Sequence, residues 1–324
     1  MFKIFSKKQF KHEIYILQEM KIAICISGFL RTWDINRVIF EKYVLGESNE
    51  HEFDIFIHTY KQNYYEYSSK KDDVIYTEDE IINKFAGLPV KKIVIEDREI
   101  VDPQNIENSK RFIEGKYQYD TPIPESSDTN SKTTKLGLRL YDQLRKVNLC
   151  NELRKDYEKE NSIQYDCVMR TRFDVLYYHL IDWNRCIDGK VHIDIGSTGG
   201  QPPDMVHIGT PYVVDICAGR FKYLDKFLLP TESDLKESVS VYIPSCQCHQ
   251  TIPLCVLHSH NSLGHVIPHF GLEYSEYKIF CRVTRNERYV WIPYQGHVLI
   301  ENDPQATDLI KTHFSQYKHL TYIM

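Results

Sequence analysis

The chain has 324 residues, of which 42% are hydrophobic and 13% aromatic, so it can bury a large core and general disorder is excluded. A formal net charge of −5 excludes a basic field over the whole molecule, so no nucleic-acid partner is expected and any anion must bind locally. Nine cysteines without the spacing of a disulfide framework indicate reduced thiols and a cytoplasmic location.

The N-terminal residues 1–19 combine lysines with scattered hydrophobic residues and lack the apolar core and cleavage site of a secretory signal. Two interpretations stay open for this segment. It forms a basic amphipathic helix in peripheral contact with an anionic membrane surface, or it is a solvated extension ahead of the fold. The sequence has no run of about 18 apolar residues, so a membrane-spanning helix is not expected.

Three short apolar runs predict buried strands in the first hundred residues. Residues 21–26 are a continuous apolar run that stops at Ser27 and Gly28, as is typical of a buried parallel strand followed by a turn and a helix. Residues 53–59 predict a second strand, and residues 90–95 a third that lies nearer an edge. Strands separated by polar or helical segments favour a doubly wound α/β sheet.

The same alternation continues along the chain. Residues 104–134 are rich in proline, serine and aspartate and predict a long loop. A broad apolar face predicts a helix over 135–160, which leads directly into a strand at 165–175. Further strands are predicted at 187–195, 205–209 and 278–283, and further helices at 212–227 and 251–263.

The turn after the first strand is the first candidate site. Ser27, Gly28, Arg31 and Thr32 offer a hydroxyl, backbone amides and a guanidinium, which together suit a phosphate. The turn matches neither the Walker phosphate loop nor the dinucleotide glycine fingerprint. The alternative is an ordinary strand-to-helix turn in which Arg31 forms a salt bridge.

The second candidate site is the end of the strand at 165–175, where Arg170, Arg172 and Asp174 follow an apolar run. Unpaired buried charge is costly, and the C-terminal ends of parallel strands open onto the binding crevice of α/β proteins. Alternation along a strand would point all three side chains to one face, where they suit a diphosphate. The alternative is a structural ladder of ion pairs.

Two further groups of residues admit a chemical role. Asp204 lies in a loop rich in glycine and proline, where it could deprotonate an acceptor hydroxyl or orient a sugar; the alternative is a turn-stabilising aspartate. A cysteine and histidine group admits a zinc site, although its spacing matches no common one and buried thiols explain it equally. This group comprises Cys246, Cys248, His249, Cys255, His258 and His260.

Four segments of the chain have the order and the spacing of a pattern found in a known protein family. They are residues 26–32, 54–60, 165–174 and 203–209. The sequence resembles the GT-A-like glycosyltransferases of bacterial surface-polysaccharide clusters and large DNA viruses over roughly residues 20–225. The resemblance implies a mostly parallel sheet flanked by helices, in one domain over residues 20–324. Its donor-binding half would span about 20–180, and its acceptor half about 181–324.

The activity that this resemblance implies is transfer of a hexosyl or pentosyl group from a nucleoside-diphosphate sugar to a hydroxyl of a glycan acceptor, in polysaccharide biosynthesis. Arg172 would stabilise the leaving diphosphate, and Asp204 would be the catalytic base if the reaction inverts the anomeric centre. The donor-binding residues would be Ser27, Gly28, Arg31, Thr32, Thr59, Arg170, Arg172 and Asp174.

Asp174 would take the place of the metal-binding carboxylates that hold Mn²⁺ or Mg²⁺ in this fold. The usual motif is Asp-x-Asp, whereas this chain has Arg172 at the first position, so a metal at Asp174 and neutralisation by Arg172 both stay open. Two other functions are also open. One is a sulfotransferase- or kinase-like phosphate-binding transferase, and the other is a non-catalytic glycan-binding protein of the same fold.

Overall fold

The computed structural model of the chain describes residues 19–31, 33–46, 50–63, 74–97, 132–177, 179–194, 205–223, 240–243, 248–251, 270–277 and 282–283. The side chains of some residues within these ranges, including 132–141, are not described. The N-terminal segment 1–18, the greater part of the loop predicted at 104–134 and the loop that carries Asp204 lie outside the described residues, so those predictions stay predictions.

A mixed sheet of seven strands forms the centre of the fold. Its strands are β1 (Lys21–Gly28), β2 (Glu52–Tyr60), β5 (Val90–Glu96), β6 (Cys167–Thr171), β8 (Val191–Asp194), β9 (His207–Gly209) and β12 (Tyr274–Tyr277). They lie side by side in the order β5-β2-β1-β6-β9-β8-β12. Every neighbouring pair is parallel except the two pairs that β9 makes with β6 and β8, so the sheet is mostly parallel.

Six short strands pair outside the central sheet, each in an antiparallel pair. They are β3 (Gln62–Asn63) with β4 (Val74–Ile75), β7 (Val175–Leu176) with β13 (Arg282–Val283), and β10 (Ser240–Ile243) with β11 (Cys248–Thr251).

Four α-helices occur in the described part of the chain: α1 (Trp33–Phe40), α2 (Glu78–Asn83), α3 (Lys132–Asn161) and α4 (Pro211–Ala218). A π-helical turn, Glu41–Leu45, continues α1, and a 3₁₀ segment, Gly219–Tyr223, continues α4. A capping box in which Thr77 and Glu80 bond to each other's backbone starts α2. No helix in the described ranges is long and apolar enough to cross a membrane.

The order of the strands determines where a crevice forms. From β1 the chain adds β2 and then β5 on one side, and it returns through α3 to place β6 on the other side of β1. In doubly wound sheets, a crevice opens outside the carboxyl ends of the strands where the order reverses in this way. A crevice is therefore expected at the carboxyl ends of β1 and β6.

The two faces of the sheet bury separate cores because side chains alternate along each strand. On one face, the isoleucines at alternate positions of β1 pack with Trp33 and Phe173. On the other face, Ala23 and Cys25 pack with Phe56 and with Cys150 of α3. Full burial of a large apolar side chain contributes about 1.5–3 kcal/mol, so these two cores account for the placement of the helices on both faces.

The structure confirms the α/β class and several predicted elements. The strands predicted at 21–26, 53–59 and 90–95 are β1, β2 and β5, and β5 is indeed an edge strand. The helix predicted over 135–160 is α3, which begins three residues earlier.

Several predicted elements are wrong in their extent. The strand predicted at 187–195 begins only at Val191, because Gly189 adopts a φ of +84° and turns the chain. The helix predicted over 212–227 ends at Ala218, immediately before Gly219. Thr251 is the last residue of β11. The rest of the helix predicted over 251–263 lies outside the described ranges, so it stays a prediction.

Candidate functional site

Three charged side chains meet at the carboxyl ends of β1 and β6, and we call them the arginine–aspartate cluster. Nη1 of Arg31 donates to Oδ2 of Asp174 at 2.6 Å. Arg172 donates from Nε to Oδ1 and from Nη2 to Oδ2 of Asp174, both at 2.8 Å. Arg172 therefore binds the carboxylate in a bidentate manner, through two parallel hydrogen bonds, which is the strongest form of this contact.

Burial and charge differ across the arginine–aspartate cluster. The Asp174 side chain is 2% exposed, whereas each arginine side chain is 13% exposed. Burial raises the pKa of Asp174, but the adjacent charges of Arg172 and Arg31 outweigh burial and hold the pKa at about 2. At neutral pH, Asp174 is therefore an ionised carboxylate in contact with two arginine cations.

A tight turn after β1 places Arg31. The backbone N–H of Trp33 donates to the carbonyl of Leu30 at 2.8 Å, which closes the turn. Gly28 has a φ of +128° and Arg31 a φ of +42°. Positive φ is rare for any residue except glycine, so the chain holds Arg31 in an uncommon conformation directly beside the crevice. Thr32 lies outside the described residues.

A second turn, after β6, places Asp174. Phe173 is buried in the core, and the side chain of Asn36 in α1 donates to the Phe173 carbonyl at 2.8 Å. The hydroxyls of Thr171 and Tyr177 bond to each other across the same turn. The backbone that carries Asp174 is therefore fixed on both sides. Asn36 is not among the residues predicted for the site, and no local signal marks it, because its partner lies 137 residues away.

The predicted alternation of Arg170, Arg172 and Asp174 along one strand is wrong, because β6 ends at Thr171. Arg172 and Asp174 meet through the turn that follows. Arg170 lies within β6 opposite Cys25, so it is on the face that packs against α3. It is almost fully buried there, and its charge acts on the Cys150 thiol.

The remaining predicted donor-binding residues support the end of β1. Ser27 is buried. The hydroxyl of Thr59 in β2 donates to the carbonyl of Gly28 at 2.9 Å, and the Thr59 side chain is fully buried. Thr59 therefore holds the strand end from which the Arg31 turn begins.

A second polar group, which we call the Lys146 cluster, lies where α3 covers the ends of β1 and β2. Nζ of Lys146 donates to Oδ2 of Asp142 at 2.7 Å, and the Tyr60 hydroxyl donates to the same oxygen. Nζ of Lys146 also lies 5.0 Å from the ring centroid of Phe29, and Cζ of Arg31 lies 5.5 Å from the same centroid. Phe29 therefore separates the two clusters while contacting both.

The acidic and basic side chains of the Lys146 cluster have shifted pKa values. Burial raises the pKa of Asp142 to about 6. Burial, and then the charge of Arg31, lower the pKa of Lys146 well below its usual range. The sequence shows Asp142 and Lys146 four residues apart on a helix, which is a common pairing, but it does not reveal that α3 buries them over β2. The Lys146 cluster is therefore not among the predicted sites.

The residues present at Asp174 do not fit the Mn²⁺ or Mg²⁺ site that the resemblance implies. Both carboxylate oxygens accept guanidinium N–H groups, and a divalent cation there would adjoin two positive charges. The described residues also contain no group of three His, Cys, Asp or Glu placed to hold a metal ion. Of the cysteine and histidine group, only Cys248 and His249 fall in a described strand, so zinc there stays a prediction.

The geometry at the carboxyl ends of β1 and β6 suits a small anion with several oxygens. Guanidinium groups bind phosphate, sulfate and carboxylate oxygens through directed N–H groups. Comparison of the chain with protein-family models and with curated proteins gives no match. The glycosyltransferase activity therefore stays an expectation that depends on the four sequence segments that carry the resemblance.

Proposed function

We propose that this protein is a glycosyltransferase that moves a sugar from a nucleoside-diphosphate sugar to a hydroxyl of a glycan acceptor. The observation that carries the proposal is the arginine–aspartate cluster, in which the guanidinium groups of Arg31 and Arg172 both contact the carboxylate of Asp174 at the carboxyl ends of β1 and β6. A diphosphate is the small anion that best matches two neighbouring guanidinium groups.

The fold supports the proposal. A mostly parallel sheet with one reversed strand and helices on both faces is compatible with the GT-A-like arrangement, although other α/β proteins share these features. Nucleotides bind in doubly wound sheets at the carboxyl ends of the strands where the order reverses. Two of the four segments that carry the resemblance, 26–32 and 165–174, end at this point.

The proposed reaction breaks the bond between the anomeric carbon and the terminal phosphate oxygen of the donor, and a new bond forms to the acceptor oxygen. Negative charge develops on the leaving diphosphate. Arg31 and Arg172, already oriented by Asp174, would stabilise that charge without rearranging. In an inverting reaction, Asp204 would take the proton of the acceptor hydroxyl.

Thermal denaturation with UDP, GDP, CDP and TDP tests the proposal, because a ligand that binds only the folded state raises its stability. We expect one nucleotide to raise the melting temperature of the wild type, and Arg172→Ala to lose most of that rise. Lys92→Ala is the matched control. Lys92 pairs with Glu160 near the C-terminal end of α3, so this variant removes a positive charge far from the crevice and should keep the full rise.

The same assay separates the alternatives. Stabilisation by a 3′-phosphoadenosine compound and by no nucleoside diphosphate would favour the sulfotransferase-like function. If a sugar nucleotide binds but mass spectrometry finds neither hydrolysis nor transfer of its sugar, the non-catalytic function gains support. A folded protein that no nucleotide stabilises would remove the basis of the glycosyltransferase proposal.

A further inference from the structure

Asp174 stands where the resemblance places a metal-binding carboxylate, but its surroundings are those of a counter-ion to two arginines. At least three guanidinium N–H groups reach its two oxygens, at 2.6 to 2.8 Å. These donors occupy three of the about four lone-pair sites of the carboxylate, the same sites that a divalent cation would use. Any cation bound at Asp174 would also lie next to Arg31 and Arg172 and would be repelled by both.

The turn leaves Asp174 little freedom to exchange these partners for a metal. Phe173 is anchored in the core and its carbonyl accepts from Asn36, so the backbone beside Asp174 cannot move without breaking buried contacts. The carboxylate is 2% exposed, whereas each arginine side chain is 13% exposed. The contact therefore holds both guanidinium groups in place, and the aspartate is the more buried partner.

We infer that Asp174 is a positioning residue for Arg31 and Arg172 and is not a metal ligand, so that these two arginines neutralise the donor diphosphate without a divalent cation at Asp174. The part of the inference that concerns the diphosphate rests on the proposed function. The part that concerns the metal does not, because it depends only on how Asp174 is bonded. The two parts are therefore tested by separate measurements.

The first measurement is a titration of the protein with Mn²⁺ alone, in which electron paramagnetic resonance reports free Mn²⁺. Wild type and Asp174→Asn should give the same curve. A stoichiometric Mn²⁺ site that is present in the wild type and lost in a folded Asp174→Asn protein would overturn the inference. This measurement needs no nucleotide, so it judges Asp174 even if the proposed function fails.

The second measurement repeats the nucleotide stabilisation assay in excess EDTA and in Mn²⁺. We expect the wild-type shift to be the same within error in both. A shift that requires Mn²⁺ and disappears in Asp174→Asn would overturn the inference and leave the proposed function intact. If no nucleotide binds in either condition, the proposed function fails and the arginines' role at the diphosphate fails with it. The wild-type comparison needs no variant, so poor folding of a variant cannot decide it.

A positioning role predicts a specific pattern of rescue. Asp174→Asn should weaken nucleotide binding by the same factor in EDTA and in Mn²⁺, and Asp174→Glu, which keeps the negative charge, should restore at least a third of the lost stabilisation in both. A residue needed only for folding would change the melting temperature without changing the nucleotide-dependent shift. That last result would also contradict the inference.

Discussion

Two groups of buried arginine and carboxylate side chains occupy different places in this molecule and have opposite charge balances. Between α3 and α4, Arg154 donates to Glu158 at 2.5 Å and also to Asp215, so one cation serves two carboxylates. In the arginine–aspartate cluster, one carboxylate serves two cations. The number of ion pairs is similar, and what differs is which charge is in excess.

The part of each group that faces solvent also differs. The Arg154 side chain is fully buried while Glu158 and Asp215 are 17% and 31% exposed, so the excess negative charge is hydrated and the arginine joins two helices. In the arginine–aspartate cluster the carboxylate is the more buried member, at 2% exposure, and each arginine side chain is 13% exposed. A buried salt bridge alone does not identify a binding site, since many serve packing. The feature that distinguishes the candidate site is that two arginines share one carboxylate at the carboxyl ends of β1 and β6.

The largest expected effect is on stability, at the helix pair. Arg154→Met removes the cation and leaves two carboxylates facing each other, with Asn151 also losing a partner. Removing one partner of a buried ion pair costs about 4 kcal/mol, and we expect a loss of this size in urea denaturation. The nucleotide-dependent shift should be unchanged. If Arg154→Met binds the nucleotide more weakly than the wild type although the same fraction of both proteins is folded, the Arg154 group and the arginine–aspartate cluster are coupled.

At the crevice, Asp174→Asn is expected to cost about 3 kcal/mol, because two arginines then lack their shared counter-ion. The comparison predicts a further difference that stability alone does not show. Inorganic phosphate should recover part of the stability of Asp174→Asn, since an anion replaces the missing charge, and should recover none in Arg154→Met. Urea denaturation with phosphate or with chloride at equal ionic strength measures this difference. Equal responses of the two variants would contradict it.

The pH dependence of the free energy of unfolding should also reflect the ion pairs of the arginine–aspartate cluster. The pKa of Asp174 is lowered to about 2 in the folded state, so its stabilisation is fully present above its unfolded value near 4 and is lost as pH falls from about 4 to about 2. The shift corresponds to about 2 kcal/mol. Denaturation midpoints across this range should fall less steeply in Asp174→Asn than in the wild type. Parallel curves would show that Asp174 is not held as an ion by the two arginines.

Asp142 should change the free energy of unfolding with pH in the opposite direction to Asp174. Burial raises its pKa to about 6, so the folded state binds a proton more tightly than the unfolded state does, and stability falls as pH rises from about 4 to about 6. Asp142→Asn should remove this decline. Because Asp142 is partly exposed, solvent screening makes the effect smaller than the acid effect at Asp174.

Hydrophobic periodicity in the sequence was sufficient to predict the central strands and α3, because continuous apolar runs and an apolar helical face are local patterns. The direction of β9 was not predictable, since a three-residue strand carries no sign of its orientation. At the site, residue type indicated Arg31, Arg172 and Asp174 as candidates. Their actual assembly depends on contacts over long separations, such as Asn36 with the Phe173 carbonyl, and on β6 ending one residue before Arg172.

Two threonines offer the smallest and most closely matched comparison of site and scaffold. Thr59→Val removes the bond to the Gly28 carbonyl, and Thr77→Val removes the side-chain cap of α2. Each loss should cost about 1 kcal/mol. Only Thr59 supports the strand end from which the Arg31 turn begins, so only Thr59→Val should also weaken nucleotide binding, by about threefold, which is under 1 kcal/mol.

Isothermal titration with the nucleotide found in the stability screen measures both variants under one condition. If Thr77→Val weakens binding as much as Thr59→Val does, a general loss of stability explains the effect and Thr59 has no local role. If neither variant changes the dissociation constant, the turn holds Arg31 without help from β2. A weakening confined to Thr59→Val would show that the end of β1 sets the position of Arg31, because the two variants differ in place and not in the stability they lose.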